Sequence, residues 1–131
     1  MSTQIVVAGA IIRGNTVLVA QRARPPELAG RWELPGGKVG HEETEPAALA
    51  RELVEELGLR AGDVVVDERL GGDVDLSGSM TLRAYRVRLL TGEPRAHDHR
   101  ALRWVTAEEL GDVDWVPADR EWLADLTRAL S

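Results

Sequence analysis

The sequence contains no cysteine and no phenylalanine among its 131 residues, and it has one tyrosine. Without cysteine, the chain can form neither disulfide bonds nor zinc–thiolate sites, and it has no thiol nucleophile. Long apolar runs are also missing, because the run from Ile5 to Ile12 is too short to cross a bilayer. No basic targeting segment precedes that run. We therefore expect a cytoplasmic protein that does not enter a membrane.

Positive charge is scarce, since 16 Lys and Arg residues stand against 22 Asp and Glu residues, a formal net charge of -6. Polynucleotide binding depends largely on cationic side chains that neutralise phosphates, so this balance argues against DNA or RNA as a partner. It is compatible with a single nucleotide, whose phosphates a divalent metal ion can bridge to carboxylates. The length and the 44% hydrophobic content predict one folded domain over 1–131.

Runs of apolar and β-branched residues between turn signals predict a series of strands. The expected strands are residues 4–13, 16–21, 31–34, 63–70, 80–90 and 101–105. The segments 71–72 and 77–79 are expected as loops. The clearest helix starts at Thr44 as N-cap and ends before Gly58, and a second helix is expected over 118–130. This order of elements predicts an α+β fold with a mixed β-sheet.

The first helix carries a concentration of acidic residues. At about 100° per residue, Glu52 and Glu56 nearly superimpose, Glu55 lies beside them and Glu45 projects from the same side. The residues expected to face the core from the opposite side are Ala47, Ala50, Leu53, Val54 and Leu57. Like charges at these spacings repel each other unless a cation lies among them, and Mg²⁺ suits such oxygen ligands. A solvated helix face is the alternative interpretation.

The residues around this helix follow a fixed pattern. Gly37 is followed after five residues by Glu43, and after seven more by the run Arg51 to Leu59. Written as G-x5-E-x7-R-E-U-x-E-E-x-G-U, with U aliphatic, the segment 37–59 resembles the signature of the Nudix hydrolases. Further likeness to the MutT-type branch of that family covers nearly the whole chain, at residues 21–22, 32–38, 92–94, 104 and 117–119.

The resemblance implies an α/β/α sandwich in which residues 37–59 form a loop-helix-loop catalytic motif. It also implies hydrolysis of a nucleoside triphosphate to a monophosphate and pyrophosphate, with Mg²⁺ as cofactor and Mn²⁺ as a substitute. The implied metal ligands are the carbonyl of Gly36 and the side chains of Glu52, Glu55, Glu56 and Asp98. Glu43 and Arg51 would brace the motif. Glu52 is the first candidate for the base that activates water, with Glu55 or Asp98 as alternatives, and Asp98 is alternatively a plain loop carboxylate.

Substrate contacts are implied in the same way, at Arg22, Glu33, Gly36, Gly37 and Asp119. Arg22 closes the second strand and is expected to contact a phosphate. Asp119 follows a Pro-Ala pair where enzymes acting on oxidised guanine have Asn and relatives acting on cytidine nucleotides have Asp. An ionised Asp only accepts hydrogen bonds, which suits the N4 amino group of cytosine and opposes the O6 atom of guanine. Alternatively, Asp119 caps the last helix.

We therefore expect CTP, dCTP or 5-substituted cytidine triphosphates as substrates, with 8-oxo-dGTP as the alternative. Trp32 and Trp115 are candidates for stacking on the base, whereas Trp122 is expected in the core. His97 and His99 flank Asp98 but are only a weak sign of a site. A catalytically silent, nucleotide-sensing module is the alternative of another class. Both a monomer and a homodimer are compatible with the sequence.

Overall fold

The computed structural model describes residues 3–131, and within them the chain forms seven strands and four helices. The strands are β1 (Gln4–Arg13), β2 (Thr16–Gln21), β3 (Trp32–Glu33), β4 (Gly36–Lys38), β5 (Val64–Ser77), β6 (Met80–Leu89) and β7 (Ala101–Thr106). The α-helices are α1 (Glu45–Leu57) and α2 (Leu123–Ala129), and two 3-10 helices cover Ala107–Asp112 and Pro117–Trp122. Within residues 3–131, the longest helix falls short of the length and apolar character that a membrane span requires.

All the strands belong to one mixed sheet. β1 pairs in parallel with β6, where Val6 lies opposite Leu82, and its other edge pairs antiparallel with β4 and then with β2. β2 in turn pairs antiparallel with β7 along its length and with β3 at its end. The end of β2 therefore lies between β3 and the loop that leads into β7, and the functional site is built around this point.

Apolar side chains alternate along the central strands and form a core on each face of the sheet. On β1, Val7 and Ile11 pack towards α1, whereas Ala8 and Ala10 pack towards the helices at the end of the chain. Helix α1 covers the first face with four buried residues, Ala48, Leu49, Leu53 and Leu57. The structure thus confirms the α+β class and the α/β/α sandwich.

Strand β4 (Gly36–Lys38) lies in a segment for which the sequence predicted no strand, because the strand expected at residues 31–34 ends before it. Instead, Gly36 and Gly37 pair with Ala8 and Val7 of β1. A Cβ atom on Gly36 would collide with the carbonyl oxygen of Val7 and would lie 2.8 Å from the Cα atom of Ala8. Glycine is therefore what allows this close approach of the two backbones.

The structure corrects two further element predictions. The predicted loop at residues 71–72 is wrong, because β5 continues through it to Ser77 with a register shift between Leu70 and Val74. The shifted pairing accommodates Gly71, whose φ of +67° does not fit a regular strand. The helix predicted over 118–130 is divided into the 3-10 helix Pro117–Trp122 and the α-helix α2. The strand boundaries predicted for β1 and β2 are confirmed.

Candidate active site

Helix α1 is fixed at both ends by the residues that the sequence indicated. The side chain of Thr44 accepts a hydrogen bond from the backbone N–H of Ala47 at 3.2 Å, and Gly58 ends the helix with a φ of +64°. Residues four apart lie on the same face of a helix, so Glu52 and Glu56 lie on the face that carries the buried Ala48, next to Leu49. The acidic residues therefore face the sheet beside the glycines of β4. The prediction that Ala47 faces the core is wrong, because Ala47 is exposed.

Arg51 joins the helix to the loop that precedes it. Its Nε donates to Oε2 of Glu43 at 2.7 Å, and its Nη2 donates to Oε1 of Glu43 at 2.9 Å and to the carbonyl oxygen of Lys38 at 3.2 Å. Glu43 also accepts from the backbone N–H of Gly40. The Arg51 guanidinium holds the pKa of Glu43 below its usual range. A two-pronged ion pair of this kind has little rotational freedom, so it fixes the loop relative to α1.

The side chains of Glu52 and Glu56 are neighbours on α1, and they are only 18% and 12% exposed. Burial raises the pKa of Glu56 well above its usual range, and the hydrogen bond and negative charge of Glu52 raise it further. Two neighbouring carboxylates with so little exposure repel each other unless a proton or a cation lies between them. Glu52 also accepts from Nη1 of Arg51 at 3.0 Å. Glu55 lies outside this pair, since its carboxylate is 60% exposed and lies 3.6 Å from Arg51.

The donors in this region have the chemistry of a site for a hard divalent cation. Within residues 3–131, no three Asp, Glu or His side chains are arranged as a preformed metal site. The available donors are nevertheless carboxylate and carbonyl oxygens, which Mg²⁺ and Mn²⁺ prefer. The negative charges of Glu52, Glu33 and Asp98 all raise the pKa of Glu56, so positive charge is favoured at this position. The residues present therefore fit a divalent cation that is completed by further oxygen ligands.

A polar cleft of about 170 Å³ opens beside Glu56. The side chains and backbone that line it come from four separate segments: Arg22, Ala23, Arg24, Glu33, Gly36, Glu56, Asp98 and His99. Nη1 of Arg22 donates to Oε1 of Glu33 at 2.9 Å. Asp98 is 55% exposed and lies 3.8 Å from Arg24. The fold thus brings together five of the residues that the resemblance implied as metal ligands or substrate contacts: Arg22, Glu33, Gly36, Glu56 and Asp98.

A larger cleft of about 520 Å³ adjoins the polar one, and Arg22, Glu33 and Gly36 line both. Its walls are mostly aliphatic, from residues that include Val6, Leu28, Leu76, Met80, Leu82 and Val116. Gly37 and Asp119 also line this cleft. Since the two clefts share residues, one elongated ligand can occupy both, with its apolar part in the larger cleft.

Asp119 is the one buried charged or polar residue recorded within residues 3–131, with 4% of its surface exposed. Its Oδ2 accepts a hydrogen bond from the backbone N–H of Leu34 at 2.8 Å. Burial raises the pKa of Asp119 to about 7, against the opposing effect of the Leu34 hydrogen bond. The alternative in which Asp119 caps the last helix is wrong, because no side chain caps the 3-10 helix that contains it.

The aromatic residues do not line the larger cleft within the described part of the chain. Trp115 is 1% exposed, and its indole N–H donates to the carbonyl oxygen of Leu110. Trp122 is also in the core, as predicted. The prediction that Trp115 could stack on a base is wrong, and Trp32 packs against the same core cluster. A base in this cleft would lie between aliphatic side chains.

His99 is the site residue whose importance the sequence did not reveal. Its side chain is 7% exposed, and its Nε2 lies 3.0 Å from Oε2 of Glu33 and 3.9 Å from Oε1 of Glu56. A histidine in a polar loop gave only a weak signal. The stronger signal is its place two residues before β7, because β7 and β3 both pair with the end of β2. That pairing could not be read from the sequence.

Comparison with known proteins agrees with this geometry. The family model described as "NUDIX domain" matches residues 3–126. The Mycobacterium tuberculosis protein named "Putative 8-oxo-dGTP diphosphatase 2" is 73% identical over 131 residues, covering 100% of this chain and 93% of that protein. An Escherichia coli CTP pyrophosphohydrolase is 40% identical over 117 residues, covering 87% and 84%.

The solution structure of the E. coli ORF135 protein superposes with a TM-score of 0.80 at 32% identity, covering 98% of this chain and 91% of that one. The likeness therefore extends over almost the whole sandwich and includes both clefts. Together with the match of the family model, it shows that the chain belongs to the NUDIX domain family.

Proposed function

We propose that this protein is a Mg²⁺-dependent nucleoside triphosphate pyrophosphohydrolase that prefers cytidine triphosphates. The observation that carries the proposal is the buried carboxylate of Asp119 in an apolar cleft that opens onto the acidic face of α1. An aliphatic cleft of about 520 Å³ suits a nucleobase, and the neighbouring polar cleft suits phosphates. Arg22, Glu33 and Gly36 lie where the two parts of the nucleotide would join.

The reaction would be substitution at the β-phosphorus. A water oxygen forms a bond to that phosphorus, and the bond from the phosphorus to the oxygen that bridges to the α-phosphate breaks, which leaves a nucleoside monophosphate and pyrophosphate. Glu52 accepts the proton of the attacking water. Glu52 is favoured over Glu55 and Asp98 because Nη1 of Arg51 holds its carboxylate, whereas the other two carboxylates are largely exposed.

The cofactor Mg²⁺, or Mn²⁺ in its place, would supply charge neutralisation of the phosphates and polarisation of the scissile bond. The residues that would hold it are the carbonyl of Gly36 and the carboxylates of Glu52, Glu55, Glu56 and Asp98. Arg22 adds a cation to the lining of the polar cleft, where it can contact a phosphate. Its present partner Glu33 keeps the guanidinium at the junction of the two clefts.

The base preference is assigned to Asp119. Its Oδ2 is occupied by the N–H of Leu34, so a base in the cleft would meet Oδ1. An ionised carboxylate accepts from the N4 amino group of cytosine and repels the O6 acceptor of guanine. The similarity to a relative named CTP pyrophosphohydrolase supports this choice.

A second candidate substrate is 8-oxo-dGTP. The M. tuberculosis relative, at 73% identity, is named for a diphosphatase that acts on this nucleotide. A pKa of about 7 for Asp119 means that a neutral, proton-donating carboxyl is also populated at physiological pH. A neutral carboxyl can donate a hydrogen bond to a guanine oxygen. The protonation state of Asp119 therefore separates the two candidates.

Steady-state kinetics on CTP, dCTP and 8-oxo-dGTP at pH 6 and pH 8 test the assignment. Because Asp119 ionises near pH 7, its accepting form dominates at pH 8 and its donating form at pH 6. We expect the ratio of kcat/KM for dCTP to that for 8-oxo-dGTP to rise about 10-fold or more from pH 6 to pH 8, the value of one hydrogen bond to a charged group. Comparing ratios cancels the pH dependence of the chemical step.

The matched control is Asp119→Asn, which keeps the size of the side chain and removes its ionisation. In this variant the ratio of kcat/KM for dCTP to that for 8-oxo-dGTP is expected to be independent of pH. It is also expected to be lower than in the unaltered protein at pH 8. The role of Asp119 is contradicted if this ratio does not change with pH in the unaltered protein. It is also contradicted if the ratio changes with pH as much in Asp119→Asn as in the unaltered protein. A higher kcat/KM for 8-oxo-dGTP at both pH values supports the second candidate instead.

A further inference from the structure

We propose that His99 is a positioning residue that holds Glu33, and through Glu33 the phosphate-contacting Arg22, at the junction of the two clefts. The inference rests on the proposed function for its substrate. Its effect would be on binding of the triphosphate, since Arg22 is the group that it orients. His99 itself would not contact the reacting atoms.

The contacts form a chain of three side chains. Nε2 of His99 lies 3.0 Å from Oε2 of Glu33, and the other oxygen of that carboxylate accepts from Nη1 of Arg22 at 2.9 Å. Glu33 is thus held at both of its oxygens, which leaves it one rotamer. The guanidinium of Arg22 is further fixed by its Nε, which donates to the carbonyl oxygen of Arg24 at 2.9 Å. A hydrogen-bonded chain with little exposed surface is stronger than the same contacts in water.

Backbone hydrogen bonds at the end of β2 bring His99 and Glu33 close together. The N–H of Arg100 donates to the carbonyl oxygen of Gln21 at 2.8 Å, which fixes the loop directly after His99. On the other edge of β2, Ala20 pairs with Glu33. The end of β2 therefore holds the backbone on both of its edges, and this brings the side chains of His99 and Glu33 into contact.

The two ring nitrogens of His99 differ in their surroundings. Nδ1 is buried and has no hydrogen-bond partner in the described residues, whereas Nε2 faces Glu33. A proton on Nε2 gives Glu33 a donor and leaves only a lone pair unpartnered at Nδ1. The reverse tautomer would bury an N–H without an acceptor and would place a lone pair against a carboxylate, which costs more free energy. The network therefore assigns the Nε2–H tautomer, with His99 as the donor to Glu33.

Nε2 of His99 lies near a second carboxylate. Oε1 of Glu56 is 3.9 Å from Nε2, which is too far for a hydrogen bond. Hydrogen bonding to Glu33 is the shorter contact by 0.9 Å, the difference between 3.9 Å and 3.0 Å. The consequence of losing His99 is therefore expected first in Arg22 and substrate binding, and only secondarily at the carboxylates of α1.

The test compares His99→Gln with His99→Asn. Both are neutral amides, but only the longer Gln places its N–H at the position of Nε2, within reach of Glu33. We expect His99→Asn to raise KM for the triphosphate about 10-fold or more with kcat changed less than about 3-fold, and His99→Gln to keep KM within about 3-fold of the unaltered protein. His97→Asn, two residues away on an exposed side chain, is the control and is expected to leave both constants unchanged.

Equal effects of the Gln and Asn variants, or a fall in kcat at constant KM, would overturn the inference. Should His99→Asn not fold, His99→Leu removes the same hydrogen bond with an apolar side chain and must give the same rise in KM. If the unaltered protein hydrolyses no triphosphate, the proposed function fails by itself. The positioning role is then measured as the Kd of α,β-methylene-CTP, and an unchanged Kd in His99→Asn contradicts it.

Discussion

Replacing Glu52 with glutamine is expected to lower kcat for pyrophosphate release from CTP by about 10³-fold, within the range of 10² to 10⁴ that general-base catalysis contributes. Glutamine cannot accept the proton of the attacking water. It keeps the size of the side chain, and its amide N–H can donate to the neighbouring carboxylate of Glu56. The contacts of α1 with the sheet are therefore retained. The measurement is Mg²⁺-dependent release of pyrophosphate under saturating substrate.

The matched control for this variant is Glu68→Gln, because Glu68 is an exposed residue of β5 whose nearest cation is Arg86 at 3.7 Å. Its kcat is expected to equal that of the unaltered protein, and thermal unfolding should show the same Tm within experimental error for both variants. Equal, very low turnover in the unaltered protein and in Glu52→Gln would support the nucleotide-sensing module. If Glu52→Gln retains its kcat, the base that activates water is Glu55 or Asp98 and not Glu52.

Adding one methyl group at Gly37 is expected to reduce kcat/KM by about 10²-fold or more while the protein remains folded. A Cβ atom on Gly37 would collide with the carboxylate of Glu52 and lie 2.5 Å from its Oε1. The side chain of Glu52 can rotate away, so the clash is relieved by moving the proposed base. Displacement of a reacting group by about 1 Å costs catalysis on this scale. The kinetic constants of Gly37→Ala, with its circular dichroism spectrum, test the expectation.

Two other glycines provide the controls for Gly37→Ala. At Gly36, a Cβ atom would meet the backbone carbonyl of Val7, which cannot rotate away, so Gly36→Ala is expected to lower the free energy of unfolding and the yield of folded protein. At Gly111, a Cβ atom would meet no atom within 4 Å, so Gly111→Ala is expected to be neutral in both respects. Full activity in Gly37→Ala would show that the glycine does not serve to make room for Glu52.

Local sequence signals were sufficient for much of the fold. The alternation of β1 and β2, the cap at Thr44 and the left-handed residue Gly58 are all dictated by neighbours along the chain, and the structure confirms them. Strand β4 could not be predicted, because it depends on a close approach to Val7 of β1 that only the folded sheet creates. The passage of β5 through Gly71 likewise depends on pairing with β6 across a register shift.

The candidate site was predictable to the extent that its residues lie on one helix or in one motif. Glu52, Glu55 and Glu56 follow from the pattern, but their surroundings do not. Periodicity alone placed the acidic residues opposite the core, whereas Glu52 packs against Gly37 and Glu56 lies in the polar cleft beside Gly36. The glycines of β4 leave room for these two side chains, and Glu55 remains exposed. The contact of Asp119 with Leu34 spans 85 positions, and no local signal indicates it.

The site therefore depends on a few long-range contacts. Asp119 contacts Leu34 in the wall of the larger cleft, and His99 contacts Glu33 across the end of β2. Both partners belong to the short segment 33–36, which runs from the last residue of β3 to Gly36, the first residue of β4. This stretch connects the part of the site that would read the base to the part that would hold the phosphates and metal.

Hydrolysis of CTP in [¹⁸O]water with Mg²⁺, followed by mass spectrometry of both products, tests the proposed reaction most directly. Attack at the β-phosphorus predicts pyrophosphate that carries one ¹⁸O atom and CMP that carries none. Labelled CMP would place the attack at the α-phosphorus. Orthophosphate and CDP as products would contradict the proposed reaction altogether.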